Sequence, residues 1–172
     1  LNYWKKNGKP SKLIMSFHGI PKKSLYQGDP YHCECHKTGR LLAEALNLKD
    51  TEYQICFQSR FGKAEWLKPY FAEVIADLGK QKINNIHVIC PGFSSDCLET
   101  LEEINMEGKS IFINNGGKNY KYIPALNSDP HWVEAMGIIS SSNLQGWLDP
   151  KWSLAKEQKS SNLTKKQAEK FK

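Results

Sequence analysis

Leu13-Ile14-Met15-Ser16-Phe17-His18-Gly19-Ile20-Pro21 is an apolar run that ends in a polar residue and then in two breakers. It reads as a buried strand over residues 12–17, with His18 carried into the loop at its carboxyl end. A second run, Ile86-His87-Val88-Ile89-Cys90, leads through Pro91 and Gly92 into Phe93-Ser94-Ser95-Asp96-Cys97-Leu98-Glu99-Thr100-Leu101-Glu102-Glu103-Ile104, an acidic helix. In open α/β sheets, ligands collect where strands end and helices begin. A neutral imidazole and several carboxylates meeting there have the chemistry to hold a divalent cation and to accept protons.

Working outward, strands and helices alternate. After the first strand comes a helix near 36–47, with Leu41, Leu42, Ala45 and Leu46 on one face, and a strand over 52–57. Trp66, Leu67, Tyr70, Phe71, Val74, Ile75 and Leu78 keep an i, i+4, i+8 rhythm that predicts a helix closing at Gly79. A third strand over 84–90 precedes the acidic helix. Lys109 to Ile113 reads as a fourth strand, the Gly116-Gly117 turn as the start of a looped segment, and 129–137 as a last short helix. This order predicts an α/β fold: a parallel, doubly wound sheet with flanking helices.

The chain has 172 residues, 40% hydrophobic and 24% charged, which suits one globular domain with a real core. No apolar run approaches the ~20 residues that span a bilayer, and no signal peptide is visible at the start. Five cysteines are an odd number and sit in core-like segments, which fits reduced thiols in a cytoplasmic protein. Of the net charge of +6, residues from Gly146 onward supply +4. The remainder is nearly balanced, so nucleic-acid binding has little support. Residues 1–140 are expected to form the α/β lobe and 141–172 a basic, flexible tail. Trp147, Leu148, Trp152 and Leu154 accompany the tail lysines without a sustained apolar face. A free tail is the leading expectation and peripheral membrane contact the second.

At 100° per residue, Asp96, Glu99 and Glu103 fall within about 60° of one another, while Cys97, Leu98, Leu101 and Ile104 form a separate apolar arc. Stacked carboxylates repel, and a bound cation or shared protons would relieve them. Taken alone, the helix better suits a solvated acidic face, and His18 a hydrogen-bonded structural residue. His32-Cys33-Glu34-Cys35-His36 has zinc-ligand residue types, but so short a loop does not readily surround one ion. It reads as the polar opening of the first helix.

Four motifs recur in order over about 13–127, and together they resemble ferrochelatases, with wording closest to proteobacterial members. They are Ser16-Phe17-His18-Gly19-Ile20-Pro21; Gln58-Ser59-Arg60-Phe61-Gly62 with Trp66-Leu67 and Pro69-Tyr70; Cys90-Pro91-Gly92-Phe93 with 96–104; and Gly116-Gly117, Tyr120, Tyr122-Ile123-Pro124 and Leu126-Asn127. The resemblance implies an enzyme that inserts ferrous iron, its substrate, into protoporphyrin IX. It implies a two-lobed fold of which this chain supplies the second lobe, with the amino-terminal lobe missing and the isolated fragment inactive. It implies His18 and Glu99 as the catalytic pair and as metal ligands, with Asp96 and Glu103 as an outer set. Phe93 and Trp66 would border the macrocycle. The family's iron–sulfur clusters use cysteines near the carboxyl terminus, and none here lies beyond Cys97, so no cluster is expected; nor is a nucleotide. The alternatives are a chelatase for another metal and a non-catalytic module that binds a tetrapyrrole or a partner.

Overall fold

A computed structural model describes residues 1–144, 146–147 and 151–170. They divide into two compact units, Leu1–Asn127 and Ser128–Lys172.

The first unit is built on four parallel strands: β1 (Lys12–His18), β2 (Tyr53–Gln58), β3 (Asn85–Ile89) and β4 (Asn119–Tyr122), in the order β2-β1-β3-β4. Successive side chains of β1 enter two separate cores. Ile14 packs with Cys56, Ile86 and Val88, which α4 (Phe71–Lys80), a π-helix (Glu99–Glu107) and α5 (Gly108–Asn114) cover through Ile75, Ile104 and Phe112. Leu13, Met15 and Phe17 pack with Phe57 on the other face, under Cys35 and Ala43 of α3 (Tyr31–Ala45). Helices on both faces explain why the strands are nearly continuous apolar runs. The expected doubly wound α/β architecture is present. The chain order reverses between β1 and β3, so the crevice for a ligand opens at their carboxyl ends.

Three expectations are corrected. Lys109–Ile113 is not a strand but part of α5, and the fourth strand is Asn119–Tyr122, where a loop was expected. A five-residue apolar run does not distinguish a strand from a buried helical turn. Here Gly108 decides the matter: a Cβ on it would sit 2.7 Å from the Phe71 ring and 2.6 Å from the Tyr120 hydroxyl. Only glycine lets the helix approach both, and Tyr120 then donates its hydroxyl hydrogen to the Ile104 carbonyl. The helix expected from Trp66 begins at Phe71. Pro69 disfavours helical geometry at Lys68 and has no N–H to continue a helix. The displaced residues pair instead with the loop after β1 and its continuation: Leu67 N–H donates to the Ile20 carbonyl (3.0 Å) and Lys22 N–H to the Glu65 carbonyl (2.8 Å).

Two further helices of the first unit are α1 (Asn2–Asn7) and α2 (Lys22–Tyr26). The second unit contains α6 (Pro130–Asn143), whose first turn is capped by the Asp129 carboxylate, and α7 (Leu154–Glu169), capped by Ser153. The last short helix thus runs beyond residue 137. No helix among the described residues is long and apolar enough to cross a membrane. Trp147, Trp152 and Leu154 are exposed. Leu148 lies outside the described residues, as do 145, 149–150 and 171–172 of the expected 141–172 tail.

His87 lies in the middle of β3 with no solvent exposure, and neither ring nitrogen has a hydrogen-bond partner. Tyr3 of α1 packs edge-on against it at 5.6 Å, and Lys121 is its neighbour in register on β4. Burial, and then the Lys121 charge, lower its pKa from 6.5 to about 4. Between those two values the unfolded chain takes up a proton that the fold refuses. Stability is therefore full above the upper value and is lost as pH falls towards the lower. Urea unfolding of the parent and of His87→Leu across pH 7 to 4 is expected to show a shallower loss in the variant. Parallel pH profiles would contradict this role for His87.

Candidate active site

His18 closes β1 and is half-buried. Its Nδ1 lies 2.7 Å from the Gly19 carbonyl. A carbonyl only accepts, so Nδ1 carries a proton, and in the neutral ring Nε2 keeps its lone pair. The backbone around the ring is fixed from two sides. The Tyr31 hydroxyl donates to the His18 carbonyl at 2.8 Å, and Gly19 N–H donates to the Gln58 carbonyl at 2.8 Å. Gly19 has no room for a side chain: a Cβ would lie 2.7 Å from the Gln58 carbonyl oxygen and 3.0 Å from the Trp66 ring. Trp66 and Phe93 flank the imidazole, each with its ring centroid 6.4 Å away. Trp66 is itself placed by its bridge to Pro21 and by the Tyr70 hydroxyl, 3.2 Å from its N–H.

Glu99 opens the π-helix that follows β3. Long π-helical stretches are rare and cluster at functional sites. Its carboxyl group is held below the usual range by the Cys97 thiol first, then by its own backbone N–H, and by the His18 charge when that ring is protonated. Glu103, one turn on, grips Ser59: its two oxygens accept the Ser59 N–H and the Ser59 hydroxyl, each at 2.7 Å. Ser59 is in the left-handed region at φ 63°, and this double acceptor holds it there. Ser59, Arg60, Phe61, Leu98, Glu99, Glu102, Glu103 and Glu107 line an open cleft of about 430 Å³. Its lips are apolar, with Phe61 83% and Leu98 70% exposed.

Asp96 is not on the helical face shared by Glu99 and Glu103. Residues 91–97 form a turn and loop, and the helix starts after them. Four donors converge on its carboxylate: the Tyr122 hydroxyl (2.6 Å), Asn127 Nδ2 (2.7 Å), the Thr100 hydroxyl (3.1 Å) and Ala125 N–H (3.2 Å). Burial pushes its pKa up, but these hydrogen bonds outweigh burial and hold it below the usual range. The apolar arc expected from Cys97, Leu98, Leu101 and Ile104 also breaks up. Ile104 is fully buried, whereas Leu98 and Leu101 face solvent. The i→i+5 winding, seen in the Gly108 N–H bonded to the Glu103 carbonyl, rotates side chains away from their α-helical positions. Among the described residues no group of three or more His, Cys, Asp or Glu side chains is arranged to hold a metal ion. Glu103 is turned to Ser59, and Asp96 to β4 and the loop beyond it.

Sequence reasoning gave no role to Gln58. It is 2% exposed and bridges three elements. Its Oε1 accepts from the Ser16 hydroxyl (2.9 Å) and the Cys90 thiol (3.5 Å), and its Nε2 donates to the Glu99 carbonyl (3.4 Å). A glutamine at the end of an apolar strand was the available signal, since a buried polar side chain must find partners.

A family model for ferrochelatase matches residues 1–144. Among similar proteins, the ferrochelatase of Nitrosomonas europaea is 63% identical over 152 residues, 88% of this chain and 42% of that protein. That of Methylobacillus flagellatus is 59% identical over 85% of this chain and 42% of its own length. The Chromobacterium violaceum ferrochelatase is 56% identical over 86% and 40%. A putative cobalamin biosynthesis CbiX protein from Marinobacter aquaeolei superposes on 79% of this chain and 98% of its own, with a TM-score of 0.50 at 15% identity, a likeness of fold. The fold is thus that of a chelatase-like α/β lobe. The chain belongs to the ferrochelatase family and spans about two fifths of the length of the relatives it matches.

Asp96→Ala removes an acceptor shared by four donors. It is expected to lower unfolding stability by about 2–3 kcal/mol, the scale of losing hydrogen bonds to a charged group. Asp96→Asn, which keeps the shape, should lose less. Urea denaturation checks both, and an Asp96→Ala variant as stable as the parent would contradict the positioning role.

Proposed function

We propose that this chain carries the metal-side chemistry of a ferrochelatase, a lyase that inserts ferrous iron into protoporphyrin IX to form protoheme. The observation that carries the reading is the His18 ring at the carboxyl end of β1, beside the switch point of the sheet: Nδ1–H is held by the Gly19 carbonyl, which leaves Nε2 of the neutral ring bare. Insertion replaces two pyrrole N–H protons with one Fe²⁺, and two protons leave without change in oxidation state. A neutral imidazole takes such a proton or ligates the incoming iron, and both acts need the same bare nitrogen. Glu99, held ionised, stabilises the imidazolium that forms and offers an oxygen to the cation. Glu103 lies in the same cleft and stands as the outer carboxylate. Asp96 acts as a positioning residue through Tyr122 and Asn127. Trp66 and Phe93 border the macrocycle beside His18.

The remaining length of the relatives supplies a second lobe in this reading, opposite the crevice. The exposed Phe61 and Leu98 then face the porphyrin or that lobe. The reaction runs in the cytoplasm without a resident iron–sulfur cluster or nucleotide. Exposed Trp147 and Trp152 beside lysines offer a peripheral membrane contact.

The test is porphyrin metalation by this chain preceded by the amino-terminal remainder of the Nitrosomonas europaea relative, assayed with Fe²⁺, Co²⁺ and Ni²⁺. Iron is expected to be inserted. His18→Ala should reduce the rate by about 10²–10⁴-fold, the usual share of a positioned acid–base group. Glu99→Gln should also be severe, and Cys33→Ser and Cys35→Ser mild. The isolated chain should show little turnover, because a cleft enzyme depends on closed, preorganised geometry. Near-normal turnover by His18→Ala, or a marked preference for cobalt or nickel, would contradict the reading.

A further inference from the structure

On the face of the sheet away from the π-helix, α3 begins at Tyr31, so His32 and His36 occupy its first two turns at i and i+4. Side chains with that spacing lie one above the other. The two imidazoles have a centroid separation of 4.4 Å and a tilt of 45°. Both are backed by one rigid side chain: Phe57, 1% exposed, stacks on His32 at 5.8 Å and packs against His36 at 6.2 Å. No hydrogen bond to another described side chain or backbone group occupies the ring nitrogens of either. In front of them lies an open cavity of about 560 Å³, which Cys33, Lys37, Arg40 and Tyr53 also line.

We propose that His32 and His36 form a two-histidine chelate for a borderline first-row divalent cation, zinc being the test ion, at a site separate from the His18 crevice. Bonds of about 2.0–2.1 Å from zinc to each imidazole nitrogen bring two such nitrogens to one ion from rings this close, after small side-chain rotations. The Phe57 backing limits the rotamer freedom that chelation would otherwise cost. Burial, and then the neighbouring His32, lower the His36 pKa, which favours the neutral form that ligates. The nearby cations do not stand alone: Lys37 pairs with Glu34 at 3.8 Å and Arg40 with Glu44 at 2.8 Å. Solvent completes the coordination. His32 and His36 pack on Phe57, a member of the core that contains Met15 and Phe17, whereas the π-helix packs on the core that contains Ile14. The ion is therefore not the one that meets His18. Its effect is to tie the first two turns of α3 together.

Zinc titration of the chain, followed through the ¹H–¹⁵N correlations of the histidine rings, tests the site residue by residue. His32 and His36 are expected to shift together and saturate at one ion, independently of His18. His36→Ala and His32→Ala, each exchanging a partly or fully exposed side chain, should each weaken the response of the remaining ring at least tenfold. His18→Ala should leave it unchanged, and a chelator should reverse it. Zinc should also raise the melting temperature of the parent but not of His36→Ala. A His32 response that survives His36→Ala with unaltered affinity, or rings that stay silent while zinc binds elsewhere, would overturn the proposal.

Discussion

β1 is hydrogen-bonded along both edges, but not to the same depth. It pairs with β2 as far as His18 and with β3 only as far as Met15. Beyond Met15 the pairing with β3 stops, while Ser16 to His18 remain paired with β2. Buried polar groups there need partners. Gln58 provides them, reaching from β2 to Ser16, Cys90 and the Glu99 carbonyl. The crevice is thus a direct consequence of strand register, and its walls are held by one buried amide.

From that constraint the site assembles. His18 is delivered to the rim by the last turn of pairing, and Gly19 both accepts from its ring and leaves room for Trp66. Glu99 opens the π-helix after β3, while Glu103 is tethered to the strained Ser59 that follows β2. Asp96 ties the loop before the helix to the chain after β4. Each carboxylate of the acidic segment therefore has a different task, although the three look alike in sequence.

What was legible follows the physics of each signal. The three long strands and the crevice between them could be read because apolar runs bounded by Gly and Pro are strong markers, and His18 and Glu99 stand at fixed offsets from two of them. β4 and α5 were exchanged because 109–113 is too short to separate strand from buried helix, and the deciding contact, Gly108 against Phe71 and Tyr120, joins distant parts of the chain. Asp96 lies in the loop before the helix, and the π-helical winding has no sequence period of its own, so an α-helical wheel misplaced Asp96, Leu98 and Leu101. Gln58 and Asn127 were visible as motif letters, but their roles are long-range hydrogen bonds, which spacing does not reveal. The His32–His36 pair was visible as well; its rigidity comes from Phe57, which only the fold supplies.

The account rests on His18 keeping a bare Nε2. Long-range ¹H–¹⁵N correlation of the His18 ring in the folded chain at neutral pH reads this directly. A protonated-type Nδ1 resonance with an unprotonated-type Nε2 is the result the hydrogen bond to Gly19 requires. The opposite tautomer, with the proton on Nε2, would contradict it, because that nitrogen would then be unable to bind a metal or accept a proton.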